Sequence, residues 1–356
     1  MPGPGRLHDL VVVGGGQSGL AVSWYARRAG LDHVVLDRSA GPGGAWPQTW
    51  DALRLFSPAE HSSLPGWPMP VPAGGRDAYP GRDHVVDYLR AFEQRYQLPV
   101  LRPVRATGLA PADDGTWRVR TDAGEWRARH VVSATGTWTA PFVPHVPGAA
   151  GFTGRQLHVV GLRRAADHVG ERVLVVGGGN SGAQVAAELV GVTPTTWATR
   201  VPARLLPDDI DGRALFATAT ARAKALAEGA ADTGGVASLG DVVATEAVRR
   251  ARDEHGLRAL SGFTGLDGGW ATWADGRRRE VDTVIWATGF RASLRYVRGL
   301  GLGHPPPTDG TRIRTDNGLW FVGYGDWTGP ASATLIGVGR TARDTVRGVV
   351  AALGGR

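Results

Sequence analysis

Asp9-Leu-Val-Val-Val-Gly14-Gly-Gly16-Gln-Ser-Gly19 is a short apolar run that ends in a glycine turn. An amphipathic stretch, Leu20 to Arg28, leads from it into a second apolar run, His33-Val-Val-Leu-Asp37. Strand, glycine turn, helix and strand make one βαβ unit. The series recurs at Arg172-Val-Leu-Val-Val-Gly177-Gly-Gly179-Asn-Ser-Gly182, followed by a helical stretch from Ala183 to Val190 and by Thr195-Thr-Trp-Ala-Thr199. A second element is also duplicated: residues 117–136 and 270–289 each begin with Trp, carry Asp at the sixth place and close in Ala-Thr-Gly. Each reads as a short meander of strands with a polar turn, closing in a buried strand. An internal repeat is a stronger signal than either copy alone. It predicts an α/β fold with two Rossmann-like dinucleotide-binding domains.

The glycines follow the G-x-G-x-x-G spacing. The first, Gly14 or Gly177, makes a tight turn; the second, Gly16 or Gly179, lets backbone approach a pyrophosphate; the third, Gly19 or Gly182, lets helix pack on strand. The helix N-terminus then offers N–H groups and a positive dipole end to the phosphates. The residue closing the second strand selects the ribose, and Asp37 stands as far beyond Gly16 as Arg200 beyond Gly179. A carboxylate accepts hydrogen bonds from unphosphorylated ribose hydroxyls, whereas an arginine suits a 2′-phosphate. The first turn is therefore expected to take FAD or NAD and the second NADP, with Arg204 a second candidate for the phosphate. Near the C-terminus, Leu319-Trp-Phe-Val-Gly-Tyr-Gly325-Asp326 precedes a helical pattern from Ser332 to Leu353. Asp326 is placed to bond a ribityl hydroxyl, and the helix N-terminus to face the pyrimidine edge of a flavin.

Composition bounds the alternatives. The 356 residues suggest about two domains, and a 42% hydrophobic share can fill their cores. The absence of cysteine excludes disulfides, thiolate metal sites, cysteine nucleophiles and dithiol redox chemistry. Lys224 is the only lysine, so arginine carries nearly all of the positive charge behind the net +7. The arginines are scattered, and the densest run, Arg277-Arg-Arg279, follows the turn signal Asp275-Gly276; a solvated turn is expected there rather than a nucleic-acid patch. No apolar run is long enough to span a membrane and no signal peptide is visible, so the expectation is a cytoplasmic protein without a membrane partner. Residues 40–82, rich in Pro, Gly and Trp, are too long for an idle loop. Residues 205–255 carry two helical patterns, Arg213–Glu228 and Asp241–Glu254, around Gly234-Gly235, as an excursion from the second domain.

These residues resemble a known group, the class B flavoprotein monooxygenases, over nearly the whole chain. Phe152-x-Gly154-x-x-x-His158 resembles the family signature F-x-G-x-x-x-H-x-x-x-[YF], with Leu162 at its final aromatic place. Gly43-Gly44-Ala-Trp46 resembles the G-G-x-W beside the flavin, and Trp286-Ala-Thr-Gly289-Phe290 the second A-T-G motif. Trp50-Asp-Ala-Leu-Arg-Leu55, Pro58 and Leu64-Pro-Gly-Trp-Pro68 are similar to plant YUCCA-type enzymes and to bacterial flavin-binding monooxygenases associated with arsenic resistance. Asp208-Asp209, Asp232–Gly240 and Gly323–Ser332 resemble the latter group. The asparagine that many relatives place beside the oxygenated flavin falls at Phe56.

The resemblance implies an enzyme in which NADPH reduces FAD, O2 adds to the reduced flavin, and a flavin C4a-hydroperoxide oxygenates a small soft nucleophile or a carbonyl. An oxidase or diaphorase that binds the same cofactors without inserting oxygen is the other reading. The expected FAD domain comprises residues 1–155 and 290–356, the NADPH domain residues 156–289. The first site would be formed by Gly14, Gly16, Gln17, Ser18, Gly19, Asp37, Arg38, Gly44, Trp46, Val104, Thr135, Gly136, Gly325 and Asp326. The second would be formed by Gly177, Gly179, Asn180, Ser181, Gly182, Arg200 and Gly289. No catalytic residue and no metal ligand is assigned; His61, His158 and His304 are isolated in sequence. Trp46, Trp50, Trp67, Trp138 and Trp327 are either pocket walls or core aromatics. The partners implied are a small-molecule substrate and O2, with no nucleic acid; a homodimer is compatible with the pattern.

Overall fold

The computed structural model describes residues 5–208, 210, 212–229, 242–315 and 318–354, which fall into two compact units. Met1–Pro47, Pro58–Thr139 and Ala292–Arg356 form the first; Gln48–Ser57 and Ala140–Arg291 form the second. The division differs from the expected boundaries in three places, the smallest being the return to the first unit at Ala292 and not at residue 290. The chain enters the second unit at Ala140 rather than after residue 155, and the short segment Gln48–Ser57 belongs with the second unit.

Along the chain come β1 (Leu7–Val13), α1 (Gln17–Arg28), β2 (His33–Leu36), α2 (Arg82–Arg95), β3 (Val100–Leu101), β4 (Ala106–Pro111), β5 (Trp117–Thr121) and β6 (Gly124–Ser133). The second unit adds β7 (Arg155–His158), β8 (Val173–Val176), α3 (Asn180–Val190), β9 (Thr195–Ala198), α4 (Gly212–Ala227) and α5 (Glu246–Glu254). It closes with β10 (Ala259–Leu260), β11 (Phe263–Asp267), β12 (Trp270–Trp273), β13 (Arg278–Glu280) and β14 (Thr283–Trp286). The return to the first unit brings β15 (Thr308–Asp309), β16 (Arg312–Ile313), β17 (Leu319–Phe321) and α6 (Val338–Gly354).

In the first unit β17, β6, β1, β2 and β3 lie side by side and parallel. A parallel sheet is covered on both faces, which is why Leu10–Val13 and Val34–Leu36 read as unbroken apolar runs and are nearly inaccessible. α2 buries Val85, Val86, Tyr88, Leu89 and Phe92 along one stripe. In the second unit β10, β9, β8, β14 and β7 repeat the parallel arrangement, with the glycine-turn strand between the ribose strand and the strand that ends in Ala-Thr-Gly. The duplicated 20-residue elements are built alike up to one break. β4, β5 and β6 form an antiparallel arm on the main sheet, whereas β11, β12 and β13 form a separate sheet and the final strand is β14.

The C-terminal helix starts at Val338, later than the pattern from Ser332 suggested, because Ser332–Gly337 is taken up by turns: Ser332 N–H donates to the Gly329 carbonyl and Thr334 N–H to the Ala331 carbonyl. α5 likewise starts at Glu246, where Thr245 caps the helix by accepting from the Val248 N–H. Asp209, Asp232–Gly240 and Asp241, singled out above, lie outside the described residues. Among the described residues no helix is long and apolar enough to cross a membrane.

Candidate functional site

The first glycine turn joins β1 to α1. Gly14 has φ +110°, and a side chain there would run into the Ala134 carbonyl oxygen; one at Gly19 would run into the Gly14 carbonyl oxygen. Gly16 is different. A Cβ on it would meet only the Gly44 Cα, at 3.6 Å, so the space before it is left by the fold and not filled by it. Gly16 is also the N-cap of α1 and supplies no capping side chain. The first N–H groups of a helix have no intrahelical partner, so the turn fits the pyrophosphate it was predicted to bind.

Other residues of the first set gather round this turn. Gly44 (φ +60°) packs so closely that a Cβ would stand 2.7 Å from the Gly16 Cα. The Trp46 indole N–H donates to Gln17 Oε1 at 3.1 Å, and Gln17 Nε2 donates to the Ala333 carbonyl at 2.8 Å. Ser18 is buried and occupies the room left by Gly323. The Gly325 N–H donates to Ser332 Oγ at 3.1 Å within the turn before α6, while Asp326 is exposed. Tyr324, which was not anticipated, ties the Ala-Thr-Gly turn to this region. Its buried hydroxyl meets Ser133 Oγ at 2.6 Å, Thr135 Oγ1 at 2.7 Å and the Thr135 N–H at 3.1 Å. The Gly136 carbonyl accepts the Ser293 N–H at 2.9 Å.

Asp37 closes β2 and is buried, with Oδ2 accepting from Arg102 Nε at 2.8 Å. Its carbonyl accepts the Val104 N–H at 2.8 Å, and Arg38 beside it is exposed. Arg102 carried no sequence signal, because the turn after β3 follows no motif.

The second turn repeats the geometry. Gly177 (φ +150°) abuts the Ala287 carbonyl oxygen, Gly182 abuts the Gly177 carbonyl oxygen, and a Cβ on Gly179 would meet nothing within 4 Å. In both copies the Ala of Ala-Thr-Gly is what the first glycine packs against, which is a physical reason for the two motifs to recur together. Gly179 caps α3 without a side chain, and Asn180 Oδ1 accepts the Val243 N–H at 2.8 Å. Ser181 follows in the first turn of α3. The Trp197 indole N–H donates to the Gly177 carbonyl at 2.7 Å. The Gly289 carbonyl accepts the Phe142 N–H at 3.0 Å and lies 3.0 Å from His158 Nε2.

Strand register corrects the equivalence drawn by counting. Val13 pairs with Leu36 and Val176 with Ala198, each just before the first glycine. Thr199 is therefore the counterpart of Asp37, and Arg200 the counterpart of Arg38. Counting from the second glycine slipped by one residue because the first βαβ unit is one residue longer than the second. The Thr199 hydroxyl is buried with no hydrogen-bond partner, and Arg200 is exposed. An orphaned hydroxyl beside an exposed guanidinium fits a phosphorylated ribose.

Two of the isolated histidines, His158 and His61, have partners within the fold. Burial pushes the His158 pKa down, only partly opposed by the Gly289 carbonyl. A proton on Nε2 satisfies that carbonyl while Nδ1 accepts the Val160 N–H at 3.3 Å. His61 pairs with its neighbour Glu60. Three of the tryptophans are packed within their own units: Trp67 on Tyr88, Trp327 stacked on Tyr324, and Trp50 buried with its indole N–H on Glu188 Oε1 at 2.8 Å. Phe56 stacks on Phe216 of α4, and its carbonyl accepts the Gly212 N–H.

A duplicated parallel sheet with a nucleotide-type glycine turn in each copy defines an oxidoreductase of the two-dinucleotide class. Residues 11–201 match the family described as pyridine nucleotide-disulphide oxidoreductase. A flavin-containing monooxygenase from Stenotrophomonas maltophilia is similar over 97% of this chain and 99% of its own, at 43% identity with a TM-score of 0.87. Indole-3-pyruvate monooxygenase YUCCA1 of Oryza sativa subsp. japonica is 30% identical over 88% of this chain and 86% of its own length. The uncharacterized oxidoreductase CzcO of Bacillus subtilis (strain 168) is 26% identical over 96% of this chain and 99% of its own. The chain belongs to the pyridine nucleotide-disulphide oxidoreductase family and, within it, to the flavin monooxygenases. It has no cysteine, so the dithiol chemistry in the family's description is not its own.

Proposed function

We propose that the first turn holds FAD and the second NADPH, and that the protein uses both with O2 to oxygenate a small soft nucleophile or a carbonyl compound. The observation that carries this reading is the opposed chemistry of two equivalent strand ends. One presents the buried Asp37 carboxylate, the other an unpartnered Thr199 hydroxyl beside the exposed Arg200. When bound, the cofactors supply the redox chemistry, NADPH as hydride donor and the reduced flavin as the group that activates O2.

The residues of the chain bind and orient. The N-termini of α1 and α3 present backbone N–H groups to pyrophosphates. Asp37 accepts ribose hydroxyls in the first turn, and Arg200 with Thr199 binds the 2′-phosphate in the second. The Ser133–Tyr324–Thr135 hydrogen bonds hold the Ala-Thr-Gly turn in place, a buried network with little freedom to shift. No acid–base dyad is required of the protein, whose part is positioning and exclusion of water. The test is composition and coenzyme use: FAD bound in equimolar amount to the purified chain, and NADPH consumed in preference to NADH. A colourless protein that takes up no flavin would refute the reading.

A further inference from the structure

Asp37 does not stand alone at the end of β2. Arg102, just after β3, donates from Nε to Asp37 Oδ2 at 2.8 Å. From Nη1 and Nη2 it donates to the two oxygens of Glu93 on α2 at 2.6 and 2.8 Å, and from Nη2 to the Gly15 carbonyl at 3.3 Å. The Arg102, Asp37 and Glu93 side chains are only 10%, 6% and 18% exposed. A guanidinium has five N–H donors in a fixed fork, and four of these point at protein acceptors. One cation lies between two carboxylates, so the cluster keeps a net negative charge. Asp37 Oδ1, by contrast, takes only the Ser39 N–H, at 3.3 Å, and a carboxylate oxygen has room for further donors.

We propose that Arg102 and Glu93 are specificity-determining residues of the first turn, making it accept an unphosphorylated adenosine ribose and reject a 2′-phosphorylated one. The inference rests on the reading of that turn as the FAD site. An arginine near a ribose-selecting residue ordinarily suits a 2′-phosphate. Here Glu93 engages it on the side away from Asp37, and the Asp37 pair turns it into a positioning residue that fixes the carboxylate toward the ligand. A phosphate dianion entering the turn meets the net negative charge of this cluster, in which the Arg102 guanidinium is already engaged. Both turns carry an exposed arginine at the equivalent place, Arg38 and Arg200, so the two copies of one motif sort two dinucleotides by what lies beside it: the Asp37–Arg102–Glu93 cluster in one and the Thr199 hydroxyl in the other.

The test uses the full-length chain stripped of flavin, with FAD binding read by flavin fluorescence and competed by ADP-ribose or by 2′-phospho-ADP-ribose. Displacement of FAD reports the first turn alone. The expected result is that the 2′-phosphorylated competitor is at least tenfold weaker than ADP-ribose. Glu93→Gln, which keeps one of the two acceptors for Arg102 and removes one charge, should narrow that ratio severalfold while FAD still binds. Arg102→Gln should weaken FAD binding at least tenfold, and adding Glu93→Gln to it should restore part of the loss. Equal competition by the two ligands, or a ratio unmoved by Glu93→Gln, would overturn the inference while leaving the FAD assignment intact. An unsubstituted chain that binds no FAD would overturn that assignment and the inference together.

Discussion

A methyl group at Gly16 meets no protein atom closer than 3.6 Å, whereas one at Gly19 overlaps a carbonyl oxygen. The two glycines therefore separate binding from folding. Gly16→Ala should retain far less flavin, because the methyl takes the space a pyrophosphate needs, and should match the parent's unfolding temperature when both are stripped of flavin. Gly19→Ala should unfold at a lower temperature whatever is bound. Calorimetry and the flavin-to-protein absorbance ratio check both. At the second turn, Arg200 pairing with a 2′-phosphate is worth roughly 1.5–3 kcal/mol, or about tenfold to a hundredfold in affinity. Arg200→Ala should raise the KM for NADPH by that factor and leave the KM for NADH nearly unchanged. Equal losses with both coenzymes would return Arg200 to the bulk of surface arginines.

At the scale of elements, the segment Gln48–Ser57 is held to the second unit by Trp50, whose indole donates to Glu188 on α3. Burial pushes the Glu188 carboxyl up to about 7, against the opposing pull of the Trp50 hydrogen bond and the Arg54 charge. The folded chain thus keeps a proton on Glu188 that the unfolded chain releases near pH 4.5. Stability from this group is greatest at low pH and is lost as pH rises from about 4.5 through 7, by up to roughly 3 kcal/mol. Glu188→Gln keeps an acceptor for Trp50 without the charge. It should match the parent at pH 5 and be more stable at pH 8 in urea unfolding; equal pH dependence in the two proteins would contradict this. Such pairings are where sequence reading ran out. The sheets and turns were legible because period and glycine spacing are local signals. Arg102, Glu93, Tyr324 and Trp50 act through partners 9 to 191 residues away; Trp50 and Tyr324 lie in stretches the sequence marks, but nothing local names their partners, and Arg102 and Glu93 carry no local signal at all. The one-residue slip at Thr199 arose from helix and loop length, which register alone reveals.

For the whole molecule, the relatives and the two turns agree on a chain that couples a nicotinamide coenzyme to a flavin, and the central claim is that the O2 consumed ends in a substrate. Oxygen insertion and simple oxidase turnover differ in the fate of the oxygen atoms. The most direct measurement is turnover with NADPH under 18O2, across sulfides, amines, ketones and other soft nucleophiles, with mass analysis of the products and assay of hydrogen peroxide. The account predicts one labelled oxygen atom per product molecule, with peroxide as the minor fate of O2 when a true substrate is present. Stoichiometric peroxide with no labelled product from any compound would contradict it and make the protein an NADPH oxidase.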